Sequence, residues 1–278
     1  LKQLDELAGL VTQSAELTRN DFQHLAAPLI SGRSDFEALE WIPRVFDLNR
    51  AAYEAEARRD GLNDYQIRNI DSAGTLTVAP PETDYFPVYY VEPVEGNTAE
   101  IGLNHASHPA RLAALLKAWD TGLGATAEPI RSLRQAEAQA RILMFVPVYS
   151  LDAPPDTVPQ RREHLRGFVV GVLGAQDLVE QAIPRSVLEE LHFHLADGET
   201  IIYGPDESLE SAHVQQTLTA GDRAWTTTIG ASTKFLDTHT THRAQTALAV
   251  GVFVTSSMCL MVFLLTGQTA RVELIVAE

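Results

Sequence analysis

The sequence predicts an α+β fold, with a long N-terminal helix, an antiparallel-sheet domain wrapped by helices, a smaller second sheet domain and a C-terminal transmembrane helix. Three observations carry this expectation. Apolar residues recur at a 3–4 spacing through the first thirty positions. Short β-branched and aromatic runs separated by turn residues fill the middle of the chain. About 24 consecutive positions near the C-terminus carry no charge. The 278 residues are 45% hydrophobic and 21% charged, enough for one large or two small packed cores. With 37 acidic against 21 basic residues the formal charge is -16, so the surface repels nucleic acid and no nucleic-acid partner is expected. The single cysteine, Cys259, lies in the most apolar stretch, which leaves no intrachain disulfide and no Cys-based zinc site.

The elements follow in order. Leu1, Leu4, Ala8, Val11, Ala15, Phe22, Leu25 and Leu29 form one seam, broken only at Thr18. A seam of this kind either pairs two copies in a homodimer or packs on its own domain, and the pattern is the same for both. Ser34 with Glu37 has capping-box spacing, and the run through Trp41, Val45 and Tyr53 towards Gly61 reads as a second helix. Strands are expected at 75–79, 86–91, 142–149 and 167–173, with a helix from Pro109 to Trp119 among them. The segment 152–163 holds three prolines and many charges and reads as an exposed loop. A boundary near Pro184 precedes two further strand-like stretches, 192–204 and 223–232. The expected organisation is therefore 1–34, 35–183, 184–241, a membrane span at 244–267 and a cytoplasmic stub at 268–278.

The span from Ala244 to Gly267 is long enough, at about 1.5 Å rise per residue, to cross a hydrocarbon core of about 30 Å. The hydroxyls of Thr255, Ser256 and Ser257 are tolerable there, because each can bond back to a preceding carbonyl. His242 and Arg243 precede the span and Arg271 follows it, so the positive-inside count is nearly silent on orientation. The chain begins at Leu1 without a signal-like segment and stops soon after the apolar run. It is expected to be part of a longer protein, with an anchor upstream and a cytoplasmic domain downstream.

No constellation of catalytic residues stands out. His105 with His108, His192 with His194 and His239 with His242 are pairs lacking a third ligand at metal-site spacing. Asp120, Glu128 and Glu137 have no defined mutual separation, and nucleotide-binding, metalloprotease and hydrolase signatures are absent from the sequence. Gly122 and Gly124 read as a turn, Trp41 as a packing residue and Arg58 as salt-bridged or exposed. No metal, no cofactor and no catalytic residue are expected.

Seven ordered blocks nevertheless share a likeness: FEALEWIPRV (36–45), RRDGLNDYQIRN (58–69), DYFPVYYVEP (84–93), NTAEIGLNHASHPAR (97–111), AWDTGLGATAEPIRSL (118–133), LMFVPVY (143–149) and GFVVGVLGAQDLVE (167–180). Together they resemble the CHASE family, the extracytoplasmic sensory domain that precedes histidine kinases, diguanylate cyclases and adenylate cyclases and occurs in plant cytokinin receptors. The resemblance implies two PAS-like modules after the long helix, the membrane-distal one holding a small-molecule ligand and the proximal one passing the signal to the membrane helix. It places residues 1–243 outside the cytoplasm at the inner membrane and implies a sensor histidine kinase or nucleotide cyclase as output. On the central strands Phe86, Val88 and Tyr90 would share the ligand face, with Pro87 and Tyr89 on the other. Phe145 would close the cavity, and Asn104 and Thr126 would supply its polar groups. In cytokinin-binding members an Asp corresponding to Asn104 pairs with the adenine ring; Asn matches a purine donor array less well, so a different ligand is expected. Competing readings are a membrane-anchored binding or scaffolding protein without signalling output, and a membrane-bound hydrolase.

Overall fold

The computed structural model describes residues 2–14, 16–31, 36–71, 74–131, 140–150, 155–204, 213–232 and 252–258. The chain starts with two helices, α1 (Lys2–Gln13) and α2 (Arg19–Ile30). Next come β1 (Phe36–Pro43), β2 (Val45–Phe46), α3 (Arg50–Arg59), β3 (Arg68–Ile70), β4 (Leu76–Val78), β5 (Asp84–Tyr85) and β6 (Tyr90–Glu92). They are followed by α4 (Pro109–Thr121), β7 (Ala125–Thr126), β8 (Ile130–Arg131), β9 (Ala140–Tyr149), α5 (Val158–His164), β10 (Leu165–Gly174), α6 (Ala175–Ala182) and α7 (Arg185–Glu190). A last group of strands comprises β11 (Leu191–Asp197), β12 (Thr200–Tyr203), β13 (His213–Ala220) and β14 (Arg223–Ala231). The fold is mixed α/β with antiparallel sheets. Contacts divide it into one unit of residues 1–230 and a second of 231–278.

The larger sheet has the order β6-β1-β10-β9-β7, with β8 also on β9. Helices cover both its faces, which is why β9 and β10 are near-continuous apolar runs rather than alternating ones. Register separates the faces. Trp41 pairs with Tyr90 and Val169, and Val169 with Val146; these pack under α1 and α2. Glu40 pairs with Val91 and Val170, and Val170 with Phe145; this row faces α4. Ala114, Leu115, Ala118 and Trp119 of α4 close the core there.

The smaller sheet has the order β12-β11-β14-β13. The β13–β14 turn holds it to the larger sheet. Asp222 accepts a 2.7 Å hydrogen bond from the Thr126 backbone N–H and pairs with Lys117 at 2.6 Å. Burial alone would raise the Asp222 carboxyl, but the hydrogen bonds from Lys117 and Thr126 prevail and hold it below its ordinary value.

Five expectations change. The N-terminal helix is two helices, because Thr18 caps a new start: its side chain accepts from the Asp21 N–H at 3.2 Å while Asp21 accepts from the Thr18 N–H at 3.1 Å. Leu4, Val11 and Phe22 of the seam are fully buried against the chain's own sheet, so those positions are not free to pair with a second copy. Residues 36–43 are a strand rather than the start of a helix; a central strand buried on both faces outweighs a local capping signal, and Glu37 bonds Arg141 at 3.1 Å instead. The proline-rich excursion contains α5, started by a Thr157–Gln160 capping box, and β13 is a polar, exposed edge strand that was not expected.

The expected cytoplasmic stub, 268–278, lies outside the described residues, as do Glu137, His239, His242 and Cys259. Of the expected membrane helix only 252–258 is described. It is helical, and Thr255 and Ser257 bond back to the carbonyls of Val252 and Phe253 at 3.0 and 2.8 Å. Among the described residues no helix is long and apolar enough to cross a membrane.

Candidate functional site

The six side chains expected to line one pocket lie on two faces. Phe86, Val88, Asn104 and Phe145 are on the α4 side, whereas Tyr90 is under α1 and α2 and Thr126 pairs with Met144 on that same side. The alternation fails because residues 86–89 leave regular strand geometry. Val88 donates to the Leu103 carbonyl while Tyr89 donates to the Trp41 carbonyl, at 3.0 and 2.9 Å, and this change of partner turns both Tyr89 and Tyr90 to the face under α1 and α2.

The α4 face is a filled core. Phe86 meets Trp119 and Phe168 edge-on at 5.7 and 5.5 Å between ring centroids, and Phe145 meets His105 at 5.5 Å. Asn104 is fully buried, and both ends of its amide are engaged. Its Oδ1 accepts from the backbone N–H of Phe86 at 2.9 Å and of Ala106 at 3.2 Å, and its Nδ2 donates to Asn69 Oδ1 at 3.0 Å. It staples the 102–106 segment to the strand edge. Thr126 Oγ1 is buried without a hydrogen-bond partner, close beside Gly221 of the second sheet.

The same core holds a polar chain that the sequence did not announce. Glu40, 3% exposed, lies 2.8 Å from His105 Nε2, and Arg111 approaches His105 Nδ1 at 3.4 Å. A guanidinium only donates, so Nδ1 is the acceptor and the ring proton sits on Nε2, directed at Glu40. Burial lowers the Arg111 guanidinium from its ordinary value, and burial followed by the Arg111 charge lowers His108. A lone carboxylate within the apolar run ALEWI was the available sequence signal for this chain.

The opposite face carries an open cleft of about 780 Å³, a size that suits a small ligand. Trp41, Tyr53, Tyr89 and Tyr90 form its aromatic wall. Glu16, Leu17, Thr18, Arg19 and Asn20, from the break between α1 and α2, form its rim, and Arg44, Glu56, Asp60 and Arg166 add charge. Tyr53 and Tyr89 stand 5.0 Å apart, and Tyr89 and Tyr90 4.6 Å. The Tyr89 hydroxyl donates to Asp60 at 2.9 Å and the Tyr90 hydroxyl to the Leu17 carbonyl at 3.2 Å. Burial, with Asp60 adding to it, pushes the Tyr90 phenol up to about 12, so it remains a donor at neutral pH. Arg44 is engaged by Asp84 at 2.8 Å and stacks on Trp119, whereas Arg19 has a buried Nη2 with no hydrogen-bond partner. From sequence, Tyr90 is expected on the ligand face with Phe86 and Val88, Tyr89 on the opposite face and Trp41 in packing, and no other residue of this cleft is expected to meet a ligand. The adjacent Tyr89–Tyr90 pair was visible, but the irregular backbone that turns both one way was not.

The family model for the CHASE domain matches residues 15–206. The chain belongs to the CHASE domain family. Among curated proteins it is similar to the hybrid signal transduction histidine kinase A of Dictyostelium discoideum, at 26% identity over 74% of this chain. That match spans 11% of the relative's length, so the chain corresponds to a small part of it. Among solved structures it is similar to the periplasmic sensory domain of the Campylobacter jejuni chemoreceptor Tlp1, with a TM-score of 0.51 and 9% identity over 86% of this chain and 90% of that one. This likeness is one of fold. A CHASE domain is the extracytoplasmic ligand-sensing domain of a receptor, and the segment itself is not catalytic.

Proposed function

We propose that this CHASE domain is the input segment of a transmembrane receptor and that its small-molecule ligand occupies the cleft walled by Trp41, Tyr53, Tyr89 and Tyr90. The observation that carries the proposal is a cavity of about 780 Å³ with an aromatic wall and an unpartnered buried guanidinium nitrogen on Arg19. A buried donor without a partner costs about 1–3 kcal/mol, which a ligand acceptor recovers where the Arg19 side chain turns its Nη2 to the cleft. The rim of the cleft is the break between α1 and α2, so a ligand that grips it bears on the angle between the two helices. A ligand biases such an equilibrium only by its different affinity for the two poses.

In this proposal residues 35–183 act as a membrane-distal PAS-like module and 184–241 as a proximal one, joined through the Thr126–Asp222–Lys117 contact. Residues 244–267 form the membrane helix, with 1–243 outside the cytoplasm of an inner membrane, and the output is a histidine kinase or nucleotide cyclase on the same polypeptide. The curated relative is named a histidine kinase, which supports the kinase form of that output. The test is native mass spectrometry of the 278-residue chain after incubation with the small-molecule fraction of a cell extract. A compound retained by the native chain and lost from Trp41→Ala and Tyr89→Ala supports the cleft. Equal retention by all three moves the site elsewhere.

A further inference from the structure

Taking the cleft as the ligand site, we infer that its ligand is a small zwitterion, with its carboxylate at Arg19 and its ammonium at the Asp60 and Glu56 side. The argument is one of charge matching. Beside Arg44, which Asp84 already engages, the cleft carries the cationic side chains Arg19 and Arg166 and the carboxylates Glu16, Glu56 and Asp60. A simple anion bound among these groups leaves the carboxylates unmatched, a simple cation leaves the arginines unmatched, and a neutral molecule without an acceptor leaves Arg19 Nη2 unpaired. A dipolar molecule satisfies both signs at once.

The two ends are chemically distinct. Arg19 lies with its guanidinium carbon 5.6 Å from the Tyr90 ring centre and carries an Nη2 without a hydrogen-bond partner, so a carboxylate that draws this guanidinium round to the cleft gains a charge-assisted hydrogen bond. Asp60 already accepts from the Tyr89 hydroxyl through one oxygen at 2.9 Å, and as a carboxylate it has acceptor capacity remaining for an ammonium. The Tyr53 and Tyr89 rings of the same wall add aromatic surface that suits a cation.

The experiment is a thermal-shift panel on the 278-residue chain in three sets: the common amino acids with glycine betaine, the matching carboxylic acids lacking the amine, and the matching amines lacking the carboxylate. Titration calorimetry of any stabilising compound follows, on the native chain and on Arg19→Gln and Asp60→Asn, each first shown to melt as the native chain does. The expected result is stabilisation by a member of the first set alone, with its affinity weakened about tenfold to a hundredfold by either substitution. Binding of an acid or amine analogue equal to that of the zwitterion overturns the ligand class; if that binding is still weakened by Arg19→Gln, the cleft stands. A zwitterion whose affinity ignores both substitutions overturns the cleft as well. No stabilisation by any member of the first set overturns the inference and leaves the cleft to the extract experiment.

Discussion

Replacing Asn104 with alanine separates a structural amide from a ligand-binding one. Its carbonyl oxygen is the acceptor for the backbone N–H groups of Phe86 and Ala106, the first of them fully enclosed, and its NH₂ group donates to Asn69. The substitution strands the Phe86 donor in an apolar core, at about 1–3 kcal/mol, and the partly buried Ala106 donor at less, for a total of about 2–4 kcal/mol. That is a large fraction of a stability of about 5–15 kcal/mol typical of single domains. Urea unfolding of the native chain and Asn104→Ala, followed by far-ultraviolet circular dichroism, measures the difference. The reasoning is refuted by a change below about 0.5 kcal/mol, the range of an ordinary surface substitution, together with loss of a ligand response.

Three further outcomes are expected. Glu40→Leu or His105→Leu alone should destabilise by about 3–5 kcal/mol by leaving a buried partner unmatched, and the double change by clearly less than the sum; additivity in a double-mutant cycle counts against the pair. Burial and the Arg111 charge hold His108 below its ordinary 6.5, so the unfolded chain takes up that proton first. The stability this contributes is complete above about pH 6.5 and falls as pH drops towards the folded value, and His108→Gln should flatten the slope of urea midpoint against pH. Removing everything after Thr241 should free the chain from membranes when it is expressed without an upstream anchor; complete membrane partition of that truncation rejects the span at 244–267.

Where local pattern and tertiary environment agreed, the sequence was readable. The runs at 142–149 and 167–173 became two adjacent inner strands of the larger sheet, and Pro109 at the first turn and Gly122 at the left-handed cap bracket α4. Residues 36–43 misled because a helix-like spacing there serves a strand buried on both faces, whose one charged residue in the core, Glu40, is matched by a histidine 65 positions away. The candidate site suffered from the same non-locality. Alternation from Phe86 to Tyr90 assumes an unbroken strand, but the backbone changes partner at Val88, and no side-chain pattern records that change. Asn104 was expected as a polar group of the ligand pocket, whereas its partners, two backbone groups and Asn69, emerge only once the chain is folded.

Hydrogen–deuterium exchange of the 278-residue chain, with and without a compound that raises its melting temperature, tests the central claim most directly. Ligand in the cleft predicts slowed exchange in peptides covering 16–20, 53–60 and 89–90, the segments that build its rim and aromatic wall, with 103–119 on the α4 face unchanged. Protection confined to 103–119 would contradict the account and return the ligand to the face of Phe86, Asn104 and Phe145.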